Sequence, residues 1–157
     1  MKTFITKTMR IALIICFSLL SIDAFAQCEE AIKNFYVTYM QNVEKCDEEA
    51  NEQLKQAHMS PELIATLAEY TEQYDADAII HAQDVNKYAI ESLNIVPMPD
   101  NGYFLVKYKW SPDARETLFP IEAVCEDGKL KILNIFPVGT DNNGQSYIKK
   151  KPASKGK

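Results

Sequence analysis

The sequence predicts an α+β fold, with N-terminal helices packed on one face of a C-terminal antiparallel sheet. Three observations carry that prediction. Up to about Tyr74, apolar residues recur at steps of three and four, the period of an amphipathic helix. From about Ala89 the step becomes two, the period of a half-buried strand. Clusters of Pro, Asp, Asn and Gly separate the alternating runs, as the turns of a meander require. Helices first and strands afterwards is the segregated pattern. A sheet of this kind must bury one face, and the preceding helices are its available cover.

The chain opens with a leader. Lys2, Lys7 and Arg10 precede an apolar run from Ile11 to Leu20, and Ala24-Phe25-Ala26 offers a small-x-small cleavage site. This is the order of a secretory signal peptide over residues 1–26, and the apolar run is about half of the roughly 20 residues a membrane span needs. The expectation is an exported protein, periplasmic or extracellular, with no transmembrane span once the leader is cut. Cys28 stands just past the cut, where a lipid-bearing cysteine would anchor the chain to a membrane surface.

Helix one is expected from about Glu29 to Lys45, with Ile32, Phe35, Tyr36, Tyr39, Met40 and Val43 on one stripe. Asp47 to His58 is polar and carries only Ala50, Leu54 and Ala57 at helical spacing, so it predicts a surface helix with a thin apolar edge and a solvated His58. Ser60-Pro61 then starts another helix, Ser60 as N-cap and Pro61 in the first turn. That helix runs to about Tyr74, with Leu63, Ile64, Leu67, Ala68, Thr71 and Tyr74 inward. The junction Asp75 to Asp84 predicts either a short capped helix or a tight loop.

Beyond it, Leu93 and Ile95 begin the alternating half. Pro99-Asp100-Asn101-Gly102 is a turn, and the clearest strand follows, with Phe104, Val106, Tyr108 and Trp110 on one face. Phe119, Ile121, Ala123 and Cys125 alternate in the next, where Pro120 suits an edge position. Glu126-Asp127-Gly128-Lys129 closes a hairpin, and Leu130 to Phe136 is the last strand before Pro137. Repeats and internal linkers are absent, so residues 27–148 form one domain, and the Lys-rich end 149–157 is expected to be disordered.

Charge narrows the function classes. The whole chain has 17 basic and 22 acidic residues. Loss of Lys2, Lys7, Arg10 and Asp23 leaves 14 against 21, a net −7, and without the five tail lysines the body stands at −12. A body this acidic repels phosphate backbones, which excludes a nucleic-acid role.

The mature chain holds Cys28, Cys46 and Cys125. A helix between Cys28 and Cys46 would hold them roughly 26 Å apart, while a disulfide needs Cα atoms within about 7 Å. The expected bridge is therefore Cys46–Cys125, with Cys28 free or lipidated. No metal site is expected, because the chain has no His-x-Glu, no histidines four apart and no Cys-x-x-Cys. No cofactor is expected either, since no phosphate-cradling Gly-rich loop is present. Asp141-Asn142-Asn143-Gly144 lacks a closing Glu and is an ordinary turn.

Asp77, His81 and Asp84 are the strongest chemical constellation. Their spacing of four and three places them on one face if the junction is helical, and a carboxylate beside an imidazole serves general-base work or ligation. Tyr103, Tyr108 and Trp110, with Tyr36, Tyr39 and Tyr74, supply aromatic area for a concave site.

Helices followed by an antiparallel sheet resemble the cone-shaped nuclear transport factor 2-like superfamily. The element Tyr74-Asp75-Ala76-Asp77 leading to Ala82-Gln83-Asp84-Val85 looks like a motif of domain-of-unknown-function family 3828, found in exported bacterial proteins. The strands from Tyr103 to Trp110 and at Phe119-Pro120-Ile121 are similar to that family's pattern. The resemblance covers roughly Ile32 to Pro137 and implies export and a curved, cone-like (cystatin-like) sheet, with no known activity.

The first functional expectation is an exported, non-enzymatic binding module. Its small-ligand pocket lies between helices and sheet, near Tyr74, Asp77, His81, Gln83, Asp84, Tyr108 and Trp110. Asp84 and Gln83 have an alternative structural role, bonding the junction backbone. A second reading is a small hydrolase or lyase with Asp77–His81 as its base. A third is a protein–protein module acting through an acidic helical face, in a homodimer or with another protein.

Overall fold

The computed structural model describes residues 27–100, 102–140 and 146–148. The expected leader 1–26, Asn101, the segment 141–145 and the Lys-rich end 149–157 lie outside the described residues. Helix α1 covers 27–44 and buries Ile32, Phe35, Tyr36, Tyr39 and Met40, the stripe that its period predicts. It ends in a Schellman motif. Cys46 takes the left-handed conformation at φ 56°, its N–H donates to the Val43 carbonyl at 3.0 Å, and the Asp47 N–H donates to that of Asn42 at 2.8 Å. Asp47 then caps α2, Glu48–His58, by accepting from the Ala50 N–H at 3.1 Å.

Helix α2 is a surface helix, but its buried residue is Asn51, and Ala57 is exposed. Helix α3, Pro61–Tyr74, starts with Ser60 Oγ accepting from the Leu63 N–H at 3.2 Å. It buries Leu63, Leu67 and Tyr70. The expected Ala68 and Thr71 are exposed, because the helix leans on its 63–67–70 line.

The junction 75–84 is a tight loop, followed by α4, Lys87–Glu91, capped by Asn86. Ala89, expected in the alternating half, therefore lies in a helix. Strands β1 (Asn94–Pro97), β2 (Tyr103–Tyr108), β3 (Thr117–Glu126) and β4 (Lys129–Ile135) form an antiparallel sheet in the order β1-β2-β3-β4. Phe104, Val106, Tyr108, Phe119, Ile121, Ala123, Leu130, Ile132 and Ile135 face the helices, and with Phe35 and Leu67 they make one core. Trp110 lies past the end of β2 and is half-buried.

Between β3 and β4, Glu122 pairs with Asn134 and Ala123 with Ile132, so Leu133 is an extra residue. Such a bulge bends the sheet and turns Leu133 outward, 48% exposed. The β3–β4 turn uses Asp127 at φ 51° and Gly128 at φ 72°, the two left-handed positions of a hairpin turn. Pro120 sits in a central strand, yet the pairing there is local. The β3–β4 ladder ends at Ile121–Ile135, and the Pro120 carbonyl accepts from the Phe136 N–H just beyond, at 3.1 Å. The nitrogen that lacks a proton thus faces the side where β4 has ended. A hairpin that sequence periodicity does not reveal, β5 (Val138–Thr140) with β6 (Ser146–Ile148), follows Pro137.

The free side of β4 is partly closed by the α2–α3 joint. Met59 bridges Ile132 in parallel fashion, and His58 Nδ1 lies 3.0 Å from the Leu130 carbonyl. His58 is half-buried, edge-on to Phe35 at 5.5 Å, which corrects the expectation of a solvated side chain.

The cysteine pairing also needs correction. Cys28 is joined to Cys125, with Cα atoms 5.4 Å apart, and Cys46 is exposed and outside any disulfide. The helical ruler correctly separates Cys28 from Cys46. It carries no information about which end of α1 receives the end of β3, and that end is Cys28's. With its sulfur in the disulfide, Cys28 has no thiol to carry a lipid chain.

Candidate functional site

The loop 75–84 is built from its ends inward. Asp75 stops α3 in the left-handed conformation at φ 50°. The Asp77 N–H donates to the Ala82 carbonyl at 2.9 Å, and the His81 N–H returns to the Asp77 carbonyl at 2.7 Å. His81 itself sits at φ 58°, a conformation His tolerates better than most residues. Between these points Ala78, Ile79 and Ile80 turn into the core. Tyr108 fixes them from the sheet, its hydroxyl donating to the Ile80 carbonyl at 2.7 Å.

The loop delivers the Asp77 carboxylate to the helices. Oδ1 accepts from the Ile79 N–H at 2.7 Å, and Oδ2 accepts from the Tyr39 hydroxyl at 2.7 Å. Two grooves meet on this pair. One, about 350 Å³, is lined by Tyr39, Lys55, Ile64, Leu67, Thr71 and Asp77 among others. The other, about 410 Å³, runs along α1 and α2 past Asn42, Asn51, Glu52 and Lys55. Asn51 organises its floor, accepting from Asn42 Nδ2 at 3.0 Å and donating to the Tyr39 carbonyl at 3.2 Å. Lys55 stands on the shared rim, held by Glu52 at 2.6 Å. The Lys55 bond holds the exposed Glu52 carboxyl below its ordinary range, with Gln56 adding to it.

Three tyrosines cluster behind the rim. Burial, then the nearby Asp77 charge, pushes the Tyr39 hydroxyl far above its ordinary value. Tyr36 is raised by burial first, then by Asp77 and Tyr108. Burial pushes Tyr108 up to about 12. All three stay neutral at physiological pH, and Tyr39 is the one that donates to the Asp77 carboxylate. Tyr36 and Phe119 rings lie 5.9 Å apart, and His81 stacks flat on Phe119 at 4.1 Å.

Of the residues expected to form a site, Asp77 lines both grooves. Tyr74, His81, Gln83, Asp84, Tyr108 and Trp110 are not among the residues that line them. Asp77, His81 and Asp84 share no helix face, because the segment is a loop. The exposed Asp84 accepts from the Val85 N–H at 2.7 Å, and Gln83 Nε2 donates to the Asp75 carbonyl at 2.9 Å; both bind junction backbone. Tyr74 packs beside Tyr70 at 6.0 Å, and Trp110 lies edge-on to Tyr108 at 6.2 Å. Tyr108 is buried against the loop. Sequence periodicity does not single out Asn51 and Lys55, although they stand four residues apart, one turn along α2.

These elements define an α+β domain with helices N-terminal to a curved four-stranded sheet. A crystal structure of a protein of unknown function from Bacteroides thetaiotaomicron shares this arrangement, with a TM-score of 0.66 and 27% identity over 80% of this chain and 99% of that one. No family profile matches the chain, and no curated protein matches it.

Proposed function

We propose that the chain is an exported, non-enzymatic binding module of the nuclear transport factor 2-like kind, with the Tyr39–Asp77 groove as its recognition surface. The observation that carries this reading is the convergence of two concavities on a single carboxylate pre-oriented by Tyr39 and Ile79. Concave sites with a few fixed polar groups suit small ligands. Relative to the expected pocket, the site moves from the Tyr108–Trp110 end to the α1–α2–α3 rim, because side chains fill the space between helices and sheet. Export draws support from the leader pattern and from the disulfide, a bond that persists in oxidising compartments. Binding is favoured over the hydrolase or lyase reading because the Asp77 oxygens already accept two strong hydrogen bonds and the His81 ring lies against Phe119.

The test is native mass spectrometry of the purified protein, followed by a thermal-shift screen of small polar molecules. A ligand of this groove loses about tenfold or more in affinity in Asp77→Asn, as expected when a charged acceptor is removed. A ligand whose affinity is the same in Asp77→Asn and Lys55→Ala binds elsewhere, and the groove assignment fails.

A further inference from the structure

We infer that a second ligand site lies between α1, α2 and the β3–β4 turn, where His58 Nε2 accepts a hydrogen bond from the hydroxyl of a small neutral phenol whose ring packs on Phe35 and Leu54. The site is a groove of about 390 Å³ whose lining includes Ala31, Phe35, Leu54, Ala57, His58 and Leu130. It shares no lining residue with the two grooves that meet at Asp77. Its volume is in the range of small-molecule pockets. Ala31 and Ala57 bring only methyl groups to its walls, which leaves room for a ring. Gly128 lies at its turn edge. Nothing stands within 4 Å of where a Cβ on Gly128 would lie, so that edge is clear.

His58 is the polar group built into this wall. Its Nδ1 lies 3.0 Å from the Leu130 carbonyl oxygen. A carbonyl only accepts, so Nδ1 carries the proton of the neutral ring and Nε2 carries the lone pair. Turning the ring to offer the other nitrogen would break that bond. The Met59–Ile132 bridge holds the backbone beside it, and Phe35 meets the ring edge-on at 5.5 Å. Nε2 has no hydrogen-bond partner among the described residues. The half-buried ring thus presents the groove with an oriented, unused acceptor. Covering the β4 edge needs only the Nδ1 donor, which leaves Nε2 for another use. An acceptor calls for a donor. Apolar walls penalise a charged one, because its desolvation is not recovered, and this selects a hydroxyl over an ammonium. A carboxylate has no proton to give and would face a lone pair. The Phe35 ring favours an aromatic body, which can meet it edge to face.

p-Cresol is the probe, and p-xylene is its isostere with a methyl group in place of the hydroxyl. Titrations followed by heteronuclear NMR of the protein give both affinities. p-Cresol binds about fivefold more tightly than p-xylene, the worth of one net hydrogen bond, although p-xylene is the more apolar of the two. In His58→Phe, which keeps a ring against Phe35, the two affinities become equal. Ala57→Trp fills the groove without touching the Leu130 bond, serves should His58→Phe not fold, and weakens p-cresol at least tenfold. Asp77→Asn leaves p-cresol binding unchanged. Long-range proton–nitrogen couplings in the imidazole report the tautomer directly, with the proton on Nδ1. Four results would each overturn the inference: p-xylene binding as tightly as p-cresol, a preference that survives His58→Phe, full p-cresol affinity in Ala57→Trp, or a neutral ring with its proton on Nε2. A loss of p-cresol in Asp77→Asn would place the probe in the outer groove and end the case for a separate site.

Discussion

Removing the Cys28–Cys125 disulfide tests the way the two halves of the fold are tied. The bridge joins residues 97 apart in sequence, so its loss frees almost the whole domain in the unfolded state. Chain entropy for a loop of that length gives about 4.7 kcal/mol at 25 °C. Unfolding entropy of a domain of this size is about 0.25 kcal/mol/K, which converts the loss to a fall in Tm of roughly 15–20 °C. The assay is thermal and urea unfolding by circular dichroism, for Cys28→Ala and Cys125→Ala, each also carrying Cys46→Ala to block exchange. The two variants should match each other and match the reduced parent. Cys46→Ala alone, altering an exposed thiol, should stay within about 0.5 kcal/mol of the parent. A large loss in Cys46→Ala, with no further loss when Cys28→Ala is added to it, would restore the Cys46–Cys125 pairing and refute the reasoning.

Asn51→Ala removes both ends of the Asn42–Asn51–Tyr39 chain and should cost about 2–3 kcal/mol by urea unfolding, with parent-like circular dichroism. His58→Ala loses the Leu130 contact and the Phe35 edge, and should cost about 1–2 kcal/mol; light scattering should show faster aggregation as the β4 edge opens. Alkaline titration should unfold the protein. Tyr36, Tyr39 and Tyr108 have folded-state values above the unfolded 10.0, so the folded chain keeps protons that the unfolded chain sheds. Their contribution is whole below pH 10 and is lost as pH rises from 10 towards 12 and beyond. Tyrosinate absorbance should grow together with loss of circular dichroism, and full ionisation at pH 10.5 with native dichroism would contradict the buried cluster.

What was legible in the sequence was what periodicity writes. The Ile32–Met40 stripe, the Ser60-Pro61 start and the Asp127-Gly128 turn each encode their geometry locally. The loop 75–84 does not, because Asp75 and His81 take left-handed conformations without glycine, and a spacing of four then masquerades as a helix face. Asn51 was invisible for a related reason. A buried amide satisfied by Asn42 and by a backbone carbonyl on α1 is a tertiary fact, and its letter alone looks like surface. Burial of Tyr36 followed from its stripe, but its lone hydroxyl could be seen only once every neighbour was placed.

The joint that lies along β4 has a consequence for the protein at high concentration. With Met59 paired to Ile132 and His58 on the Leu130 carbonyl, an incoming chain finds that length of backbone already occupied. On the opposite flank β1 is four residues long and ends in Pro97, which has no proton to offer. Fibril growth by templating on β4 would have to wait for the helical corner to peel away, so the rate of that local opening sets the pace of self-assembly there.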